Sequence, residues 1–436
     1  MALAVAGCGG GSGAGEPATA PSGHPVAWTY SHLAKDLSSS VVNVAAVSAH
    51  DAWAVALTPV VGNVDKQQVT LLRYDGSSWR PQTLPPGMAA APIAEYRLEA
   101  SSPRDVWLFR SGPNTGTYAA HFDGTQWQQT PAPGGVSDVA VLGPADVWAV
   151  GESTTAWHWD GSRWTSVSLP ARVTHLAEVA GDDVWASGLT TGEEYGLTYG
   201  APVVLHWDGE TWKREQLPAV EPPSAYRSNS MGASPMALYA PAADDVWAIS
   251  RLVGDDDNGD AVYIAPFAFH WNGTSWSKTS PDACRRCGIA AGDGVITADG
   301  MEGDNAGSSM LLSSIHYRAT HGRARKLGSP PAAAGRSGKV TAADRKQKLR
   351  LLEITAIPGT DRVWGVGSVK VEAHGDANFS RGAIVQYDPH QGLNGLNGFR
   401  VLLAMPIPLI SEGSCQGVCV PSPSSICRWW RWPIVS

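Results

Sequence analysis

An Asp-x-Trp element returns along this chain at Asp51/Trp53, Asp105/Trp107, Asp146/Trp148, Asp183/Trp185 and Asp245/Trp247, with a looser copy at Asp361/Trp364. Each of the first five is followed by Asp-Gly or Asn-Gly and then Trp: Asp75-Gly76/Trp79, Asp123-Gly124/Trp127, Asp160-Gly161/Trp164, Asp208-Gly209/Trp212 and Asn272-Gly273/Trp276. A repeat of this length is one supersecondary unit that cannot bury its own apolar faces, so several copies must stack. The clearest copy spans 137–170. It reads as Val139-Ala140-Val141-Leu142, a Gly-Pro-Ala turn, Asp146-Val147-Trp148-Ala149-Val150, then Trp157-His158-Trp159, and last Arg163-Trp164 running to Leu169. Those are four short strands, A to D. Asp-Gly between two aromatic strands predicts a two-residue type I′ hairpin, because that turn needs positive φ at both central residues. Asn272 replaces Asp in one copy, as a residue that also tolerates the left-handed conformation.

Small antiparallel sheets repeated around an axis hide most of their edges, so the architecture expected is all-β: a β-propeller of four-stranded blades. The gap from Trp247 to Trp364 is too long for one unit. Asp293-Gly294-Val295-Ile296, with Ser314-Ile315-His316-Tyr317, fills it as a degenerate copy without tryptophans. Seven blades are expected, with six or eight also compatible. Trp28 and Leu33 repeat the spacing of Trp164/Leu169, Trp79/Leu84 and Trp212/Leu217. The N-terminal strand is therefore expected to be the D strand of the last blade and to latch the ring. Phe399–Leu403 is the rival for that place.

Composition agrees. Nineteen Trp against six Phe marks a repeated position that demands Trp, and 48 Gly with 31 Pro suits many short strands and turns. The charged fraction is 17% and the net charge −8, which argues against a nucleic-acid-binding surface over the whole molecule. Beyond the first few residues no window approaches the length of a membrane-spanning helix.

Val5-Ala6-Gly7-Cys8 resembles the lipobox of bacterial lipoproteins, which implies lipidation at Cys8 and a place outside the cytoplasm, anchored to the membrane by lipid. The Gly/Ser/Ala/Pro-rich stretch to residue 25 resembles the tether such proteins carry. A working export signal also has a basic start and a longer apolar core; neither precedes Val5, which predicts a start upstream of Met1. The Asp-Val-Trp-Ala-Val-Gly run at 146–151 and His-Trp-Asp-Gly-x-x-Trp at 158–164 resemble the secreted and lipoprotein β-propellers of high-GC bacteria. They are similar to kelch, galactose-oxidase and Asp-box propellers as well. The resemblance covers about 26–405 and implies fold while saying little about function. The expected organisation is a signal and tether (1–25), a propeller (26–405, with a flexible basic insertion at 328–347) and an irregular tail (406–436).

Candidate chemistry is sparse. His121, His158, His206, His270 and His316 share one register, but equivalent residues of different blades cannot converge on a metal; they are expected to pack or hydrogen-bond against the next blade. Each Asp of Asp-x-Trp is expected to accept backbone N–H groups of the A–B turn. Asp146, Trp148, Asp160, Gly161, Trp164, Asp183, Trp185, Asp208, Gly209 and Trp212 are thus assigned to the scaffold. Cys284 and Cys287 lack two further zinc ligands and fit a local disulfide or a pair of loop thiols. Asp255–Asp260 misses the first position of a calcium loop and fits an Asn-Gly hairpin turn instead. There is no nucleophile elbow and no phosphate loop, and neither metal nor cofactor is expected.

Turns A–B and C–D are short throughout, whereas B–C and D–A connections carry almost every insertion: Thr58–Gln68, Thr190–Ala201, Val253–Ala261, Ala219–Ser234 and Gly328–Gln347. Long loops on one face of a rigid scaffold are where binding usually resides. That face carries Glu193, Glu194, Asp255, Asp256, Asp257 and Glu302 on one side. On the other, Arg318–Arg350 holds ten Lys/Arg and one acid, Asp344. Glu193, Glu194, Tyr195, Tyr199, Tyr226 and Arg227 are the ligand-binding candidates. The expected function is non-catalytic: a surface-anchored monomer binding a protein or a cell-envelope glycan through the long-loop face. The alternative is a carbohydrate-active enzyme, glycosidase or oxidase, with acids or His from several blades converging at the channel mouth.

Overall fold

The computed structural model describes residues 28–88, 91–92, 94–112, 116–151, 153–190, 193–194, 197–198, 200–220, 232–255, 261–279, 289–297, 300–303, 331–334, 338–342, 344–360, 362–374 and 377–388. Its strands build an all-β propeller. Blade 1 is Ser40–Ser48, Asp51–Val60, Asn63–Tyr74 and Trp79–Gln82, strands A to D in order. Blade 2 is Glu95–Ser102, Asp105–Ser111, Tyr118–Phe122 and Trp127–Thr130. Blade 3 is Asp138–Gly143, Asp146–Val150, Ser153–Trp159 and the first part of Trp164–Ala180. That last strand runs on without a loop to become strand A of blade 4, which continues with Asp183–Leu189, Pro202–Trp207 and Trp212–Arg214. Blade 5 is Gly232–Ala242, Asp245–Asp255, Ala261–Trp271 and Trp276–Thr279.

The closing blade takes strands A to C from Leu349–Ala356, Val363–His374 and Ala377–Tyr387, and its D strand is Trp28–Leu33 from the other end of the chain. Trp28 pairs with Tyr387 and Leu33 with Ala383. The N-terminal strand therefore latches the last blade; Phe399–Leu403 lies outside the described residues. Trp28 is fully buried and packs at 5.1 Å on Tyr387, so the latch is a core element.

Six four-stranded blades stand among the described residues. The degenerate copy contributes a hairpin, Ile289–Thr297 with Gly300–Gly303, whose first strand lies beside strand A of blade 5 and pairs with strand A of the closing blade. It thus holds an inner-strand place between those two blades. Ser314–Tyr317 lies outside the described residues. Among the described residues of the basic insertion, Ala333 exchanges two hydrogen bonds with the Gln347 side chain, and Thr341 N–H donates to Asp344 Oδ2 at 2.8 Å.

The Trp repeat explains how blades stack. In five of the six blades the Asp-x-Trp indole, or Trp364 in the closing blade, inserts against the aromatic pair of the next blade's C–D hairpin. Trp107 meets Trp159 and Trp164 at 5.6 and 6.1 Å, Trp148 meets Trp207 and Trp212 at 4.9 and 5.3 Å, and Trp185 meets Trp271 and Trp276 at 5.9 and 5.6 Å. Trp53 does the same with Phe122 and Trp127, and Trp364 with Tyr74 and Trp79 across the closure. Offset and edge-on aromatic contacts of this kind add to the burial of large side chains.

Three sequence expectations about these motifs are corrected. The His of each hairpin stacks on its own blade's Trp, not the next blade's: His121, His158, His206 and His270 lie 4.6, 4.4, 3.9 and 4.0 Å from Trp107, Trp148, Trp185 and Trp247. The Asp takes side chains rather than turn backbone. Asp105 Oδ1 accepts from Trp107 Nε1 at 3.0 Å and lies 2.7 Å from His121 Nε2; Asp183 repeats this with Trp185 and His206, while Asp146 meets His158 at 2.8 Å. The Trp, two residues on in strand B, and the His, directly alongside in strand C, reach the carboxylate in place of the turn. Blade 1 substitutes Arg73, bidentate on Asp51 and 4.7 Å over Trp53.

The hairpin itself is a four-residue loop, not a two-residue type I′ turn. Trp159 pairs with Trp164, and Asp160 Oδ1 accepts from the N–H groups of Ser162 and Arg163 at 2.8 and 2.9 Å. Gly161 sits at φ 91°, and a Cβ there would lie 2.9 Å from Ala145 Cβ of the A–B turn. Positive φ and close approach both demand glycine. The hydrogen bonds that Ser162 and Arg163 donate hold the Asp160 carboxyl below its ordinary range, at about 2.

Candidate functional site

Two features of the ring lie away from the Trp scaffold: a cleft between blades 4 and 5, and a polar collar around the central channel. The cleft follows from how blade 4 ends. Its D strand stops at Arg214, and residues 215–220 continue as an irregular wall instead of a strand. Pro218 contributes to this, since it has no N–H to give a neighbouring strand. Glu215 is the hinge of the wall: its N–H donates to Val204 O at 2.9 Å, and its Oε2 accepts from Trp276 Nε1 of blade 5 at 3.2 Å.

The opposite wall is the foot of the B–C loop of blade 4. Thr190 N–H donates to Ala201 O at 2.9 Å, and Ala201 N–H donates to Thr190 Oγ1 at 2.9 Å. Gly200 O accepts from Ala233 N–H of blade 5 at 3.0 Å. A Cβ on Gly200 would lie 2.0 Å from Thr190 O, so only glycine closes this foot. Between the walls is a cleft of about 600 Å³ whose floor is Ala233, Leu252 and Phe269 and whose rim carries Arg214, Glu215 and Gln216. It lies at the side of the ring where B–C and D–A connections gather.

The sequence-chosen ligand residues border this cleft in the chain. Glu193 and Glu194 pair with Thr198 and Leu197 in a small hairpin within the loop that ends at Gly200. Tyr195, Tyr199, Tyr226 and Arg227 lie outside the described residues, the last two in the segment joining Val220 to Gly232, both of which line the cleft. Of the turn of 255–260, the structure describes its base, Asp255 paired with Ala261. Cys8, Cys284 and Cys287 are also outside the described residues.

Sequence reasoning missed the channel collar. Glu353 of the closing blade accepts from Asn43 Nδ2 and from Val44 N–H of blade 1, the latter at 3.3 Å. Asn43 Oδ1 accepts in turn from Leu98 N–H of blade 2. Arg97 Nε donates to Ser137 O of blade 3 at 2.6 Å, and Asp138 Oδ2 accepts from Leu176 N–H of blade 4 at 2.9 Å. Inner-strand bulges lie just before Asn43, His175, Ala237 and Glu353, and a bulge re-aims the side chain that follows it. From the closing blade through blade 4, each inner strand thus passes a polar hand to the next. A polar residue one step after an apolar pair breaks strand alternation, and that break was the available signal.

Glu99 and Glu178 face the same space. Enclosure by the channel wall raises Glu99 well above the ordinary carboxylate range, and Glu178, Glu353 and Asp138 raise it further. Enclosure also pushes Glu178 and Glu353 up to about 7. Glu178 reaches solvent, so channel water offsets part of its cost. Among the described residues no group of three His, Cys, Asp or Glu is placed to hold a metal ion.

No family model matches the chain, and no curated protein matches it. Among solved structures it is similar to YCF48 bound to a D1 peptide, at 14% identity over 83% of this chain and 96% of that one, with a TM-score of 0.41. It is similar to the fungal Aleuria aurantia lectin, described as a six-bladed β-propeller with a novel fucose recognition mode, at 9% identity over 80% and 97% with a TM-score of 0.34. A GH74 xyloglucanase from Xanthomonas campestris aligns at 12% identity over 81% and 67% with a TM-score of 0.33. These likenesses bear on the fold alone.

Proposed function

We propose that the chain is a non-catalytic β-propeller, held at the outer side of a membrane through Cys8, that binds a protein or a cell-envelope glycan in the cleft between blades 4 and 5. One observation carries the reading: the long connections of blade 4 leave a cleft of about 600 Å³, a size typical of ligand sites, on a rigid frame. The Asp-x-Trp residues are spent on blade stacking and offer a ligand nothing. The test is an array of envelope oligosaccharides and synthetic peptides probed with the full chain, with Ala219→Trp at the exposed cleft wall, and with Arg163→Trp on the opposite, tight-turn face. Binding lost in Ala219→Trp and kept in Arg163→Trp supports the cleft; the reverse removes it. Cys8→Ser is expected to move the protein from the membrane to the soluble fraction.

A second reading, a carbohydrate-active enzyme working in the channel, draws on the carboxyls of Glu178 and Glu353 at about 7. A carboxyl held there can act as a general acid near neutral pH. Turnover of chromogenic glycosides that disappears in both Glu178→Gln and Glu353→Gln would favour this reading; no turnover across the panel counts against it.

A further inference from the structure

Blade 2 carries a row of side chains across one sheet face that its own packing leaves unspent. Arg110 stands directly opposite Tyr96 of strand A and Tyr118 of strand C. Alternation puts all three on the face of Leu98, Leu108 and Ala120, which packs towards blade 1. Tyr96 and Tyr118 lie at the starts of their strands and Arg110 near the end of its own, so the row sits where D–A and B–C connections gather. Tyr118 is settled: its hydroxyl donates to Pro86 O, and the Arg110 guanidinium lies 5.2 Å from its ring centre. Tyr96 is not. It is 3% exposed, yet among the described residues its hydroxyl has no hydrogen-bond partner, and neither has the enclosed Nε of Arg110. The rest of the Arg110 side chain is partly open to solvent. No ion pair joins Arg110 to a carboxylate among the described residues. The stretches outside them that lie next to this row in the chain, 89–90, 93 and 113–115, contain no Asp or Glu.

A polar atom buried without a partner bears the full loss of its hydration, and a ligand that supplies the partner recovers that loss. Here donors are left over on adjacent strands, and one of them is cationic. Burial raises the phenols of Tyr96 and Tyr118 while the Arg110 charge works against that rise, so the guanidinium acts on both rings. The acceptor that suits it is an anion. A planar carboxylate takes two parallel hydrogen bonds from a guanidinium and has lone pairs left for a phenol. It must also reach a hydroxyl that is almost fully enclosed. A glutamate side chain carries its carboxylate on a slim methylene stem, whereas a uronate's is fixed to a broad pyranose ring. We propose that this row is an anchor for an acidic peptide: a glutamate carboxylate of a partner protein pairs with Arg110 and accepts from the Tyr96 hydroxyl. The anchor stands on residues separate from the cleft between blades 4 and 5 and does not depend on it.

The experiment titrates the full chain with N-acetyl-glutamate methylamide, its glutamine counterpart, glucuronic acid and inorganic phosphate. Affinity is read by saturation-transfer NMR, and location by the Nε–H signal of Arg110. The variants are Arg110→Gln, Arg110→Lys, Tyr96→Phe and Ala219→Trp, with near-UV circular dichroism as the folding check. The glutamate ligand should bind at least about tenfold more tightly than the glutamine one, because the charge-assisted pair is lost in the latter. Arg110→Gln should erase that difference and Arg110→Lys should keep part of it. Tyr96→Phe should weaken glutamate binding about fivefold while its denaturant midpoint holds or rises, since the orphaned hydroxyl is gone. A merely structural hydroxyl would do the reverse, lowering the midpoint and leaving binding alone. Ala219→Trp should leave glutamate binding as it is. Equal binding of the glutamate and glutamine ligands, tighter binding of glucuronate or phosphate, or no saturable shift at Arg110 overturns the proposal. So does native affinity in Tyr96→Phe, which would mean that water serves that hydroxyl, or loss of binding in Ala219→Trp.

Discussion

Glu353→Gln offers the sharpest reading of the channel collar. The carboxyl of Glu353 is raised from 4.5 to about 7 by enclosure, although Val44 N–H and Asn43 Nδ2 both favour its ionised form. Below the unfolded value the group is protonated in both states and its contribution is fully present. As pH rises from 4.5 towards 7 the unfolded chain releases the proton while the folded chain retains it, so stability falls; above about 7 the loss levels off. A rise of that size corresponds to about 3 kcal/mol at full strength, and partial contact with channel water leaves roughly 1–2 kcal/mol. Glutamine removes the titration but keeps the shape. The assay is guanidinium unfolding of both proteins at several pH values from 4.5 to 7.5, read as the difference in free energy. Glu99 and Glu178 titrate in both proteins and largely cancel. The expected result is a difference that shifts by roughly 1–2 kcal/mol in favour of the variant as pH rises through this window. A difference that stays flat refutes the enclosure of Glu353.

Other outcomes follow from the scaffold. Trp28→Ala empties a fully buried site in the latch strand and should cost about 3–5 kcal/mol, read as a lower denaturant midpoint. Asp105→Ala leaves the buried Trp107 Nε1 without its acceptor and should cost about 1–3 kcal/mol in the same unfolding assay. Gly161→Ala forces a side chain into positive φ beside Ala145 and should lower stability by about 1–2 kcal/mol, whereas the same change at Gly143, where a Cβ meets nothing within 4 Å, should cost far less.

Blades 1 to 5 were legible in the sequence because their tryptophans do one repeated job: Trp148 and Trp164 recur wherever one blade must grip the next. The latch was legible too, since Trp28 and Leu33 keep the spacing of a D strand. Pairing rules reached less far. The sequence places His158 opposite Trp159 by alternation but does not show that Asp146 and Trp148, brought alongside from strand B, are its partners. The collar was hidden for a different reason. Glu353, Asn43 and Asp138 look like ordinary polar residues in separate repeats, and only ring closure sets Glu353 against Asn43 and only blade stacking sets Asp138 against Leu176. The cleft depends on where a strand stops, and Arg214 marks that end through the register of Pro202–Trp207, which spacing alone does not fix.

The claim that function lies on the cleft side, opposite the Asp-Gly turns, is tested most directly by fluorine NMR. Trifluoromethyl-phenylalanine is placed at Ala219 in one protein and at Arg163 in another, and each is titrated with a pool of envelope oligosaccharides and peptides. The account predicts that the signal at 219 shifts with saturable dependence while the signal at 163 stays in place. A saturable shift at 163 with none at 219 would contradict it.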